Sequence, residues 1–183
     1  MKKVALLGDS IRMLGYGAAV PELLGADYNV WQPDENCRYA QHLLRVLFDY
    51  KDILKDCDII HWNCGHWDLC RLFEDGETFT PVEIYKGQLE RIGKILLSCT
   101  DKVIFSLTTP VWDEYAYNDN PTIDEFNRAA AEALEPLGIV INDLNGPLRR
   151  DVKNYICGDM IHLSPAGISL AAANICDAIR KIG

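Results

Sequence analysis

Short continuous apolar runs alternate along this chain with longer stretches whose apolar residues recur every three or four positions. The runs are Val4–Leu7, Tyr28–Trp31, Cys57–Trp62, Val103–Leu107 and Ile139–Ile141. The first of these, Val4–Leu7, is continuous rather than alternating, as expected of a strand buried on both faces. Between them, Cys37 to Tyr50 carries Leu43, Leu44, Val46, Leu47 and Phe48 at helical spacing. Ile11 to Leu24 is punctuated by Gly15, Gly17 and Gly25 and reads as a loop opening into a helix. Three helix starts are written in capping residues. Thr80 is expected to cap with Pro81 at the first helical position, and that helix should run to about Ser98. Thr122 with Glu125 repeats the capping box, and Ser164-Pro165 opens a last helix to about Ile179.

Strands alternating with helices predict an α/β fold: a three-layer α/β/α domain over 1–183 with a five-stranded, mostly parallel sheet. Right-handed crossovers and this length favour the flavodoxin-like order 2-1-3-4-5. Ligands of such sheets gather at the carboxyl ends of the strands, where the order reverses between strands 1 and 3. Gly8-Asp9-Ser10 lies at one of those ends and the polar loop 63–68 at the other.

Composition narrows the partners. The net charge of -9 over 183 residues argues against binding nucleic acid or an anionic membrane surface through a basic field. Seven cysteines, an odd number without a C-x-x-C pair, read as reduced thiols. The basic start Met1-Lys2-Lys3 meets Gly8-Asp9 too soon for a signal peptide, and no apolar run approaches a membrane span. A soluble, cytoplasmic protein is expected, with a small molecule as partner; a homo-oligomer is compatible with the pattern.

Ser10 at a strand end becomes a nucleophile only with a base beside it. Of four histidines, His42 falls inside a helix and His61 within a strand, where a satisfied core histidine is the simpler reading. His162 differs, because Asp159 precedes it by three in a loop before the last helix. That spacing lets one turn of chain set a carboxylate against one imidazole nitrogen and leave the other free for a serine. His61, Cys64, His66 and Asp68 are metal-competent types, but they lack the paired spacing of zinc sites, so no metal is expected.

Gly8-Asp9-Ser10 near the start and Asp159-x-x-His162 near the end resemble the GDSL esterase/lipase family, the SGNH hydrolases, whose block order and fold match the whole chain. The resemblance implies nucleophile Ser10, base His162 and orienting Asp159. It also implies an oxyanion hole from the Ser10 N–H, a glycine N–H after strand 2 and an asparagine amide after strand 3. This sequence departs from that pattern twice. Asn36-Cys37-Arg38 stands where the glycine is expected, so the Cys37 N–H is the candidate donor. The asparagine position holds Trp67, whose indole could donate with a different reach; Asn63 is the better candidate for the amide. Asp9, Arg38, Trp67 and Trp112 are the candidates for the substrate pocket. The four tryptophans either cap the core or wall an acyl group or sugar ring, and 113–120, with Tyr115 and Tyr117, could be a flap over the site.

The resemblance implies a serine ester hydrolase for small or short-chain acyl esters, acetyl groups on carbohydrate among them, working through an acyl-enzyme without metal or organic cofactor. The altered blocks sustain an alternative: a catalytically weak or inactive protein of this fold that binds a carbohydrate or a protein partner. A flavin-binding module on the same fold is disfavoured, because Ser10-Ile11-Arg12-Met13-Leu14 is too bulky and apolar to cradle a phosphate.

Overall fold

A computed structural model describes the whole chain, Met1–Gly183. Its frame is a sheet of β1 (Lys2–Leu7), β2 (Tyr28–Trp31), β3 (Ile59–Trp62), β4 (Val103–Ser106) and β5 (Val140–Asn142). Every pairing is parallel and the order is β2-β1-β3-β4-β5, as the alternation of elements predicts. The register sets Leu7 beside Trp62 and Trp62 beside Phe105. The helices are α1 (Gly17–Leu24), α2 (Ala40–Asp49), α3 (Lys51–Leu54), α4 (His66–Leu69), α5 (Val82–Leu97), α6 (Asn120–Leu134), α7 (Asn145–Arg149), α8 (Val152–Tyr155) and α9 (Pro165–Ile182).

Strand residues of one parity, among them Ala5, Leu7, Ile60, Trp62 and Phe105, pack into a core with α2, α5 and α6. Those of the other parity, Val4, Leu6, Ile59 and Ile104, pack against α1 and α9. Successive side chains point to opposite faces of a strand, so solidly apolar runs are what a sheet sandwiched between helix layers requires. No helix is long and apolar enough to cross a membrane.

Helix starts divide by chemistry. Ser164 caps α9 as expected, its hydroxyl accepting the Gly167 N–H at 3.1 Å. At α5, Pro81 rather than Thr80 is the N-cap, and no side chain caps it. At α6 the cap is Asp119, which accepts the Thr122 N–H at 2.8 Å, so the helix begins before Thr122. The largest difference follows β1. The chain turns helical at once: the Met13 N–H donates to Asp9 O at 3.1 Å. A π-helical turn, Arg12–Tyr16, then leads into α1. The Gly17 N–H reaches back five residues to Arg12 O. That wide turn breaks the 3.6-residue period, which is why the segment reads as a loop.

Candidate active site

β1 delivers Ser10 to the first helical position of that turn, where N–H groups have no intrahelical partner. The approach requires Gly8: a Cβ there would lie 2.1 Å from Asn63 Oδ1. From the far end of the chain, the tight turn between Cys157 and Leu163 brings His162 to Ser10. It is closed by Cys157 N–H to His162 O at 2.8 Å and Met160 N–H to Cys157 O at 2.9 Å. Met160 takes the left-handed region at φ 74.

Ser10 Oγ lies 2.8 Å from His162 Nε2, and His162 Nδ1 lies 2.7 Å from Asp159 Oδ2. The other oxygen, Asp159 Oδ1, accepts the N–H groups of His162 and Ile161 at 2.9 and 3.1 Å and the Cys157 thiol at 3.1 Å. Partial burial pushes this carboxyl up, but the His162 N–H, the Cys157 thiol, the imidazole and the Ile161 N–H outweigh it and hold it below the ordinary range. An ionised Asp159 accepts the Nδ1–H and fixes the tautomer whose Nε2 lone pair faces Ser10. Trp112 braces this turn from outside, donating its N–H to Met160 O at 3.0 Å and its indole N–H to Ile156 O at 3.2 Å. It therefore supports the loop and does not line the cavity.

The other side of Ser10 is a buried polar network. Asp9 is fully buried and lies outside the cavity wall. Its Oδ1 accepts the Ile11 N–H and the Asn63 amide, both at 2.9 Å, while Oδ2 has no partner. Burial raises its pKa, against the bonds from Asn63 and Ile11 and the nearby charges of His162 and Arg12. Tyr16 donates its hydroxyl to Asn63 Oδ1 at 2.6 Å. The Asn63 amide, expected in the oxyanion hole, is thus engaged at both ends, on Asp9 and Tyr16. The Cys37 N–H is engaged as well, donating to Gly8 O at 3.1 Å. It stitches the loop after β2 to the nucleophile turn.

Arg12 completes this frame and was not singled out from the sequence. Its guanidinium is buried without a carboxylate partner and donates to Gln32 Oε1, Pro33 O and Glu35 O at 3.0, 3.0 and 2.5 Å. The available signal was an arginine in the otherwise largely apolar 11–24 stretch. Arg38 is exposed at φ 54, in the region that favours glycine, with its N–H bonded to Asn36 Oδ1 at 2.7 Å. It does not line the cavity either.

That cavity holds about 310 Å³ and has Ser10 and His162 in its wall, with Trp67, Leu72, Tyr115 and Ile161 around them. His66, also in the wall, accepts from Asn118 Nδ2 at Nδ1 (3.0 Å) and pairs through Nε2 with Thr109 Oγ1 (2.9 Å). Burial, aided by the charge of His162, pushes His66 down to about 3, so it stays neutral. Asn118 also donates to His66 O at 3.3 Å, which fixes the 113–118 loop onto α4. Asp68, two residues on in α4, reaches across to α2. Both its oxygens accept the Ala40 N–H, at 3.2 and 3.0 Å. Burial pushes this carboxyl up to about 7, against bonds from Thr80 and the Ala40 N–H. His61 is the core histidine expected, with Nε2 on Ser106 Oγ at 2.7 Å, and burial holds it at about 3. The metal-competent residues of this segment take separate partners and form no common ligand set. All seven cysteines are unpaired.

No protein-family model and no curated protein sequence matches the chain. Solved structures match it over nearly its whole length. A lipase/acylhydrolase from Enterococcus faecalis has a TM-score of 0.82 at 19% identity, covering 99% of this chain and 96% of that one. An acetylxylan esterase from Geobacillus stearothermophilus has a TM-score of 0.76 at 16% identity, covering 100% and 94%. A GDSL-like lipase from Bacteroides thetaiotaomicron has a TM-score of 0.75 at 17% identity, covering 98% and 88%. The chain has the fold of the GDSL-type, or SGNH, hydrolases.

Proposed function

We propose that the protein is a serine ester hydrolase for small, uncharged acyl esters, acetylated carbohydrates foremost. The observation that carries this reading is the unbroken hydrogen-bonded path from Ser10 through His162 to Asp159. Ser10 Oγ attacks the ester carbonyl carbon as His162 Nε2 takes its proton, and the carbonyl π pair moves onto oxygen. The Ser10 N–H meets that oxyanion. Collapse breaks the bond to the alcohol oxygen, which leaves with the proton from His162. Water then attacks the acyl-enzyme with His162 as base, releasing the acid and restoring Ser10. Asp159 stabilises the imidazolium in both halves.

The class of ester is supported by the cavity, whose wall is largely aromatic and aliphatic and carries no aspartate, glutamate, lysine or arginine. It is supported too by acetyl xylan esterases of the same fold. A fluorophosphonate probe tests the reading: the wild type should be labelled and should hydrolyse p-nitrophenyl acetate, and Ser10→Ala should do neither. Acetylated xylo-oligosaccharides should outrun long-chain esters. Absence of both labelling and turnover in the wild type sinks the hydrolase reading and leaves a binding protein on a hydrolase fold.

A further inference from the structure

We propose that the indole N–H of Trp67 is the second oxyanion donor of this enzyme, replacing the side-chain amide that the fold would otherwise supply after β3. The inference rests on the ester hydrolase reading above and deepens it at the same site.

The donors around Ser10 are accounted for one by one. The Cys37 N–H is bound to Gly8 O, the Arg38 N–H to Asn36 Oδ1, and the Asn63 amide to Asp9. Asn63 keeps a second N–H beyond its bond to Asp9, but it is 4% exposed and absent from the cavity wall. The Asn118 amide is occupied by His66 Nδ1 and O. Tyr115 has a free hydroxyl and lies between Cys70 and Asp159, close enough to feel both. Trp67 lines the same cavity as Ser10, is 40% exposed and makes no side-chain hydrogen bond; of the unbonded donors in that wall, which include the Tyr115 and Tyr117 hydroxyls, it is the one carried on α4 directly after β3.

Its backbone is held from both sides. His66 is locked by Asn118 and Thr109, and Asp68 is locked onto Ala40. A donor on a backbone fixed before the reaction costs no reorganisation when charge develops, which is what makes an oxyanion hole effective. Indole is also a donor without an acceptor, so it favours the oxyanion over the alcohol hydroxyls of a substrate. As Ser10 Oγ bonds to carbon and its proton passes to His162, the new oxyanion lies between the Ser10 N–H and the indole N–H.

The test compares Trp67→Phe and Trp67→Asn on p-nitrophenyl acetate. The phenylalanine variant keeps the wall and loses the donor, so kcat should fall about 10²–10³-fold with KM within a few-fold. The asparagine variant restores an amide at the position and should recover much of that loss. Unchanged kcat with raised KM in Trp67→Phe makes the residue a wall and overturns the proposal. A measurement on the wild type needs no variant: when a fluorophosphonate occupies Ser10, the Trp67 indole proton should move downfield in the ¹H–¹⁵N spectrum, and an unmoved resonance also overturns it. Failure of the hydrolase reading looks different, because the wild type itself would then neither label nor turn over.

Discussion

The two flanks of Ser10 are built on opposite plans. On the proton-relay flank, Asp159 and His162 stand three residues apart in one tight turn, with side chains 49% and 27% exposed. On the other flank, Asp9, Tyr16, Asn63 and Arg12 come from the bend after β1, the π-helical turn and the loop after β3, and all are buried. A relay needs direction more than dryness, and backbone N–H groups within the turn keep Asp159 ionised without a deep pocket. The second flank sets the position of the nucleophile turn itself. Its polar groups are tied to one another for that purpose and are not left facing the substrate.

The contrast can be broken by experiment, and the widest effect comes first. Asp159→Asn should cut kcat by about 10³–10⁴-fold, because the tautomer facing Ser10 is no longer enforced. Its unfolding free energy should stay within about 1 kcal/mol of wild type, since the side chain is half exposed. A large stability loss in urea titration would erase the distinction between the flanks. Asn63→Leu should do the reverse, leaving the Tyr16 hydroxyl unpaired and Asp9 with only the Ile11 N–H. The expected cost is about 1–3 kcal/mol for each buried group so orphaned, read from the same titration.

The smallest effect is the pH dependence of stability. His61 and His66 sit at about 3 in the fold. Each binds a proton in the unfolded chain before it does in the native one, so stability drains as pH falls from about 6.5 towards 3, at about 1.4 kcal/mol per pH unit for each. Asp68, at about 7 in the fold, works in the opposite sense: the native state takes the extra proton, and stability grows as pH falls from about 7 to 4. Asp9 shifts in the same direction as Asp68. The sum predicts a shallow decline down to about pH 4 and a steep one below it, where the carboxyl gains end and Asp159 takes a proton in the unfolded chain before it does in the native one. Denaturation curves at pH 7, 5 and 3.5 check this; a fall concentrated between 7 and 5 would contradict the buried histidine assignments.

The same division governs what the sequence discloses. Strand order follows from apolar runs and a handedness rule, both local or general. The relay is legible because its two members lie one turn apart in the chain and its nucleophile ends a strand. The donor flank is not legible: nothing in the sequence says that the Cys37 N–H will be taken by Gly8 O, or the Asn63 amide by Asp9. Those bonds are settled only once three loops meet. Trp112 shows the same limit, since its place at a strand end suggested a substrate wall, whereas its two N–H groups brace the catalytic turn from behind.

The π-helical turn after Ser10 acts as a phase shifter. An ordinary helix advances 100° per residue, and one extra residue in the turn moves everything downstream by that angle relative to the sheet. Arg12 and Tyr16, four residues apart, both face inward, while Met13 and Leu14, at 46% and 64% exposure, stay outside between them and Gly15, non-helical at φ -120 and ψ -111, kinks the turn. Deleting Met13 or Leu14 would turn Tyr16 by about 100° relative to Arg12 and take its hydroxyl off Asn63 Oδ1. Spelling in this stretch is therefore free as to side chain at positions 13 and 14 but fixed as to count, a constraint that length records and composition does not.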